Sequence, residues 1–150
     1  ELPGAFLLDL HYALTPASDL TLGRSAFSGF NVKSRKVNGV YTGPNGPVDL
    51  PNPHHLKPET DWPTQRWYDY SFTLEAGTQA GVTVIDHKDN PPTTWHNLLP
   101  IAMHNPCIVA PAEVTVPAGK SLDLRYRLLV HDGPVPAALV KEQAVGFARR

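Results

Sequence analysis

The sequence of 150 residues holds a single cysteine, Cys107, and a single methionine, Met103. One thiol excludes an internal disulfide, so packed side chains must hold the fold. A chain of this length buries roughly 70% of the surface it exposes when unfolded, enough for one domain without a covalent staple. Long apolar runs are also missing. A membrane-spanning helix needs roughly 20 apolar residues, and the most apolar stretch, AFLLDLHYAL at residues 5–14, is broken by Asp9 and His11. Nor is there an excess of positive charge: 13 Lys and Arg stand against 14 Asp and Glu, for a net charge of −1. Without a basic stripe to neutralise phosphates, nucleic acid is not an expected partner. No glycine-rich phosphate loop is present, because the Gly43-Pro44-Asn45-Gly46 run leads into no helical pattern.

Proline, by contrast, is plentiful. Sixteen Pro and 11 Gly imply many turns and long loops, and between them runs strand-like alternation (16 and 11 of 150). Residues 5–14 alternate Phe6, Leu8, Leu10, Tyr12 and Leu14 with Asp9 and His11, which predicts a half-buried strand. A second strand is expected from Phe27 to Arg35. Residues 38–65 lose all periodicity and read as one long loop, at least part of which Tyr41, Val48, Leu50 and Trp62 are expected to pack onto the domain, with Tyr41 and Trp62 also offering apolar anchors to a partner. Residues 66–75 and 80–86 read as a hairpin turning at Ala76-Gly77, followed by a loop at 87–97, an irregular strand at LLPIAM and a short strand at EVTV. The clearest strand is SLDLRYRLLVH at 121–131, apolar on the Leu122, Leu124, Tyr126, Leu128, Val130 face and polar on the other. From about residue 136 to 149 the period becomes helical, with Val140, Ala144 and Phe147 on one side and Arg149-Arg150 suiting the C-terminal end. These elements predict one all-β domain over 1–150, an antiparallel β-sandwich with a short C-terminal helix.

Residues 67–133 hold a sequence of motifs: W-Y-D-Y, then I-D-H-K-D-N-P, T-W-H, H-N-P, and A-G-K-S-L-D-L-R-Y-R-L-L-V-H-D-G. In this order they resemble the bacterial family labelled methane oxygenase PmoA-like. The resemblance implies a supersandwich similar to sugar-binding sandwiches, found among proteins that accompany sugar-degrading enzymes. It also implies a longer domain, so this chain is expected to be the C-terminal part of a larger one, consistent with a start at Glu1. The family pattern continues W-H with an arginine and a tyrosine where this sequence has Leu98 and Pro100.

The residues that can carry chemistry cluster in the same stretch. Asp86-His87, Asn90 and Trp95-His96 sit in one loop, and His104-Asn105 in the next. A histidine titrates near neutral pH, which makes His87 and His96 the candidate acid or base. Trp95 offers an apolar ring for the C–H face of a sugar, with Asp86, Asn90, His104 and Asn105 as hydroxyl partners. Arg125 and Arg127 share a strand face with Asp123 and His131, either as a salt-bridged outer face or as a guanidinium grip on a ligand. His87, His96 and His104 have neither helical i, i+4 spacing nor alternation on one strand, so no cofactor is expected, and a metal on these three is the lesser alternative. His54-His55 reads as solvated loop and Cys107 as a small buried apolar residue.

Two functions fit. The first is a carbohydrate-binding or carbohydrate-processing domain. The second is a non-catalytic accessory subunit with a protein partner, docked through unpaired strand edges and the 38–65 loop. A periplasmic or secreted setting is the preferred expectation.

Overall fold

A computed structural model describes residues 4–35, 38–75 and 77–149. The elements run β1 (Ala5–Leu14), β2 (Leu20–Leu22), β3 (Val32–Lys33), β4 (Gly39–Gly43), β5 (Gly46–Pro47), β6 (Trp67–Thr73), β7 (Gln79–Asp86), β8 (Thr94–Trp95), β9 (Met103–His104), β10 (Pro106–Cys107), β11 (Val114–Val116), β12 (Leu122–Asp132) and α1 (Ala137–Phe147). One antiparallel sheet of six strands, in the order β1-β12-β7-β6-β4-β5, is the base of the molecule. Among the described residues three two-stranded ladders, β8–β10, β3–β9 and β2–β11, stand beside it. The expected all-β sandwich with a short C-terminal helix is what forms. No helix among the described residues is long and apolar enough to cross a membrane.

The hairpin of β6 and β7 forms as the alternation predicts, Tyr70 opposite Val82 and Tyr68 opposite Val84. Its turn closes through the Leu74 amide on the Thr78 carbonyl, 2.8 Å, with Gly77 at φ +79°; Ala76 lies outside the described residues. β12 is central, paired with both β1 and β7. On one face of the sheet Tyr68, Tyr70, Val84 and Tyr126 pack with Phe30, Tyr41, Trp62 and Trp95 from the loops, and Leu124 and Leu128 lie partly buried against them. The ring of Phe30 stacks on Tyr126, with centroids 4.8 Å apart.

The opposite face is not the outer surface that the Asp123, Arg125, Arg127 and His131 pattern predicts. α1 covers it, with Val140 and Phe147 packed on Trp67 and Ile85. Arg127 is consequently 3% exposed, and its guanidinium reaches Asp9 on β1 through two bonds of 2.5 and 2.6 Å. It also donates to Gln143 of α1, 3.0 Å, and lies 4.7 Å from the Phe147 ring centre. Both faces of the mid-portion of β12 are therefore buried, and Leu129 is fully enclosed. Arg150, the second of the expected basic residues after the helix, lies outside the described residues.

Three further expectations need correction. The irregular strand expected at LLPIAM is a 3-10 turn over Leu99–Ile101, and only Met103 of it joins β9. The strand predicted over 27–35 shrinks to Val32–Lys33, paired with β9. Gly29 adopts φ +70°, which breaks the extended run, and the Asn105 side-chain amide takes the Ser28 and Phe30 carbonyls that a ladder would otherwise hold. The 38–65 stretch is not one structureless loop. It supplies β4 and β5 to the main sheet, and it folds Tyr41 and Trp62 into the core at 3% and 4% exposure. Gly39 is required there: a Cβ would sit 2.4 Å from the Tyr70 ring. Tyr41 and Trp62 thus anchor the chain to itself and are not free to anchor a partner.

Replacing Leu129 with alanine should cost about 2–5 kcal/mol in urea unfolding, as for other enclosed leucines. Leu8→Ala, at 51% exposure on β1, should change stability by only about 0.5 kcal/mol or less.

Candidate functional site

The expected site residues divide into three places. The first is a polar cleft of about 330 Å³ between the chain entering β6 (Thr64, Gln65, Arg66) and the loop leaving β7 (Asp86 to Thr93). Its walls are stapled together by backbone: the Asp86 amide donates to the Arg66 carbonyl, 2.9 Å, and the Thr64 hydroxyl to the Thr93 carbonyl, 2.5 Å. Asn90 closes the floor. Its side-chain amide donates to Asp86 Oδ1, 2.6 Å, and to the Arg125 carbonyl, 2.8 Å, while its oxygen accepts from the Arg125 amide, 2.8 Å. Burial pushes the Asp86 carboxyl up to about 6, against the opposing pull of Asn90, Thr93 and Arg66.

His87 lines the same cleft, but both of its ring nitrogens are committed. Nε2 donates to the Phe147 carbonyl at the end of α1, 3.1 Å, and Nδ1 accepts the Asp89 amide, 3.2 Å. Burial holds its pKa below the usual histidine value. Its job is that of a C-terminal cap, a donor on the last helix carbonyls, and no lone pair is left for proton transfer.

The second place is the β8–β10 ladder. Thr94 opposes Cys107 and Trp95 opposes Pro106, and beyond them the His96 amide bonds the Asn105 carbonyl, 2.9 Å. Side chains alternate across such a ladder, so Thr94, His96, Asn105 and Cys107 share one side and Trp95 takes the other. Trp95 is fully buried, 5.1 Å edge-on from Tyr68, with its indole N–H on the Gln65 carbonyl. It offers no face to a sugar. His96 Nδ1 lies 2.5 Å from Asp61 Oδ1, and the Thr94 hydroxyl donates to the same carboxyl, 3.1 Å. Burial lifts the Asp61 carboxyl in spite of the bonds from His96 and Thr94. The outer nitrogen of His96, Nε2, is buried and has no hydrogen-bond partner, and the Phe27 ring packs edge-on 4.6 Å away. The dyad is enclosed.

The third place is the core itself. His104 is fully buried, its ring 5.1 Å from Tyr41 and neither nitrogen bonded. Burial pushes its pKa down to about 4. The three histidines therefore stand in different surroundings: His87 under α1, His96 against Asp61, His104 against Tyr41. Among the described residues no three His, Cys, Asp or Glu side chains are grouped to hold a metal ion. Of the two arginines, Arg127 is taken up by Asp9 and Gln143, and Arg125 contributes its backbone to Asn90.

Sequence reasoning missed Arg66, Gln65, Thr64 and Asp61. Arg66 heads the clearest hairpin in the chain, and Asp61 ends a proline-rich run. Neither position has a local pattern that marks it.

The architecture defines the class, an antiparallel β-sandwich with a helix on one face. Within that class the chain belongs to the family of unknown function DUF6807, whose model matches residues 1–145. Nothing in that match links the chain to the PmoA-like proteins. No curated protein and no solved structure matches it.

His104 and Asp86 oppose each other with pH. His104 has a depressed folded pKa, so the unfolded chain takes the proton first and stability falls as pH drops from about 6.5 to about 4. Asp86 has a raised one, so the folded chain takes the proton first and its contribution grows as pH drops from about 6 to 3.8. Chemical denaturation across pH 4–6 should therefore show that His104→Leu gains stability on acidification relative to the parent protein, and that Asp86→Asn loses it. Parallel curves for all three proteins would contradict these assignments.

Proposed function

We propose that this is a carbohydrate-binding domain whose site is the cleft between Thr64–Arg66 and Asp86–Thr93. The observation that carries this is its lining: a carboxyl, a carboxamide, a guanidinium and threonine hydroxyls around a space of about 330 Å³, bounded by the rings of Pro91 and Pro92. Ligand sites fall between roughly 300 and 1,000 Å³, and polyols need this mixture of donors, acceptors and apolar ring edges. The resemblance of residues 67–133 to PmoA-like proteins that accompany sugar-degrading enzymes supports the same reading. Binding is favoured over processing. His87 has both nitrogens bonded, and His96 faces no cleft solvent, so neither candidate acid or base is free to move a proton on a bound sugar.

The Arg66 side chain is exposed and makes no ion pair among the described residues, while its backbone bond to Asp86 survives substitution, which makes it the clean probe. Calorimetric titration of the parent protein with monosaccharides should give binding that Arg66→Ala weakens by about tenfold, the equivalent of one charged hydrogen bond, with an unchanged melting temperature. Equal affinity in the variant would move the site elsewhere.

A second reading, an accessory module in a protein assembly, is favoured by β1. This edge strand leaves Phe6 74%, Leu8 51% and Tyr12 48% exposed on one face. Edge strands of this kind are templates for another chain. If a protein partner covers that face, Phe6→Asp with Leu8→Asp should abolish its capture without altering sugar affinity. A parent chain that sediments as a monomer and binds no apolar dye would remove this reading.

A further inference from the structure

The polar cleft does not end at Arg66. A second groove, of about 600 Å³, runs between the β4–β5 hairpin and α1, and it shares Gln65 and Arg66 with the cleft. The two are chemically unlike. The groove is walled by Trp67 from the sheet and by Ala144 and Val145 from the helix, and no acidic side chain lines it. Its charged residues are Arg66 and Lys141, and neither makes an ion pair among the described residues. The helix adds to this positive character. α1 starts at Ala137 with no side-chain cap, and Ala137 and Ala138 of its first turn line the groove. The Ala137 amide is taken by the Val135 carbonyl, 2.9 Å, and the turn as a whole still presents the positive end of the helix dipole. Lys88 at the cleft is neutralised by Asp89, 2.6 Å away, so across both cavities Arg66 and Lys141 stand against a single lining acid, Asp86.

From this juxtaposition we infer that the ligand is an acidic sugar carrying an apolar aglycone: the sugar ring in the cleft, its carboxylate at Arg66, and the aglycone in the groove along α1. The inference rests on the carbohydrate reading above and adds the class of sugar. A neutral sugar leaves Lys141 without a counter-charge and Arg66 with only the partly protonated Asp86 beside it. A guanidinium matches a carboxylate through two parallel hydrogen bonds, which a hydroxyl does not reproduce. A free sugar leaves the exposed Val145 wall empty, whereas a phenyl or alkyl group on the anomeric oxygen covers it and removes apolar surface from water.

The test compares three probes by calorimetry, each in the gluco, galacto and manno series: the methyl glycoside, the methyl glycosiduronate and the phenyl glycosiduronate. In at least one series the acid should bind about tenfold tighter than the neutral glycoside, and the phenyl compound about tenfold tighter again. Lys141→Ala should reduce the first step. Val145→Arg, at a position 48% exposed, should fill the groove and erase the second step while the methyl uronate still binds. Neutral glycosides that bind as well as uronates, or phenyl compounds that bind no better than methyl ones in every series, overturn the inference and leave the carbohydrate reading standing. If no probe binds in any series, both fall.

Discussion

A guanidinium buried under a helix has to be matched, and the match made by Arg127 holds three elements in place. Its two bonds to Asp9 tie the edge strand β1 to the central strand β12, and its bond to Gln143 together with the Phe147 ring ties α1 to both. Stripping such a group from water costs several kcal/mol, returned only when the geometry and the remaining donors are satisfied. Asp9 is 42% exposed at its side chain, so part of the attraction is screened. The pairing is then better understood as fixing which face of the sheet the helix covers than as a large source of stability. The rest follows from that placement: the Trp67, Ile85, Val140 and Phe147 core, the helix C-terminus against His87, and the groove that α1 walls.

Beneath the helix side lies a second polar cluster with the same logic. Asp69 accepts from Ser71, Thr83 and His131 at 2.6, 2.7 and 2.9 Å, and all of it is buried or nearly so. Burial alone would depress the His131 pKa, but the hydrogen bond and the charge of Asp69 raise it. Gly81 makes the cluster sterically feasible, since a Cβ there would lie 2.5 Å from His131 Nε2. Polar residues alternating along β6, β7 and β12 therefore mark the inside of a layered structure.

That is also why the sequence is legible in some places and not in others. Period-2 alternation located β1, β6, β7 and β12, and the change of period located α1. It could not decide which face of β12 met solvent, because a helix from elsewhere in the chain covers the polar one. It misjudged 38–65 for a related reason. β4 and β5 are five and two residues long, too short for alternation to register among glycines and prolines, and they are held by pairing to β6 and not by their own pattern. Of the site, the Asp86, His87, Asn90 group was readable because it lies in one loop. Arg66 and Asp61 reach their positions through contacts 20 or more residues away in sequence, such as Asp86 on Arg66 and His96 on Asp61.

Trp95 illustrates the ambiguity at its sharpest. An aromatic residue beside a histidine in a loop of prolines fits both a sugar platform and a plug for the core, and composition cannot separate them. Burial does. With Trp95 inside, the W-H and H-N-P motifs become the frame of the β8–β10 ladder: Asn105 binds the 28–30 segment, Asp61 binds His96, and Trp95 closes the aromatic core. A frame so thoroughly bonded holds its neighbours still. The segment that it fixes on one side, Thr64–Arg66 through the Thr93 carbonyl and the Trp95 indole, is one wall of the polar cleft. The motif residues thus shape the cleft by positioning its wall, while the groups that meet a ligand there are less conspicuous in the sequence.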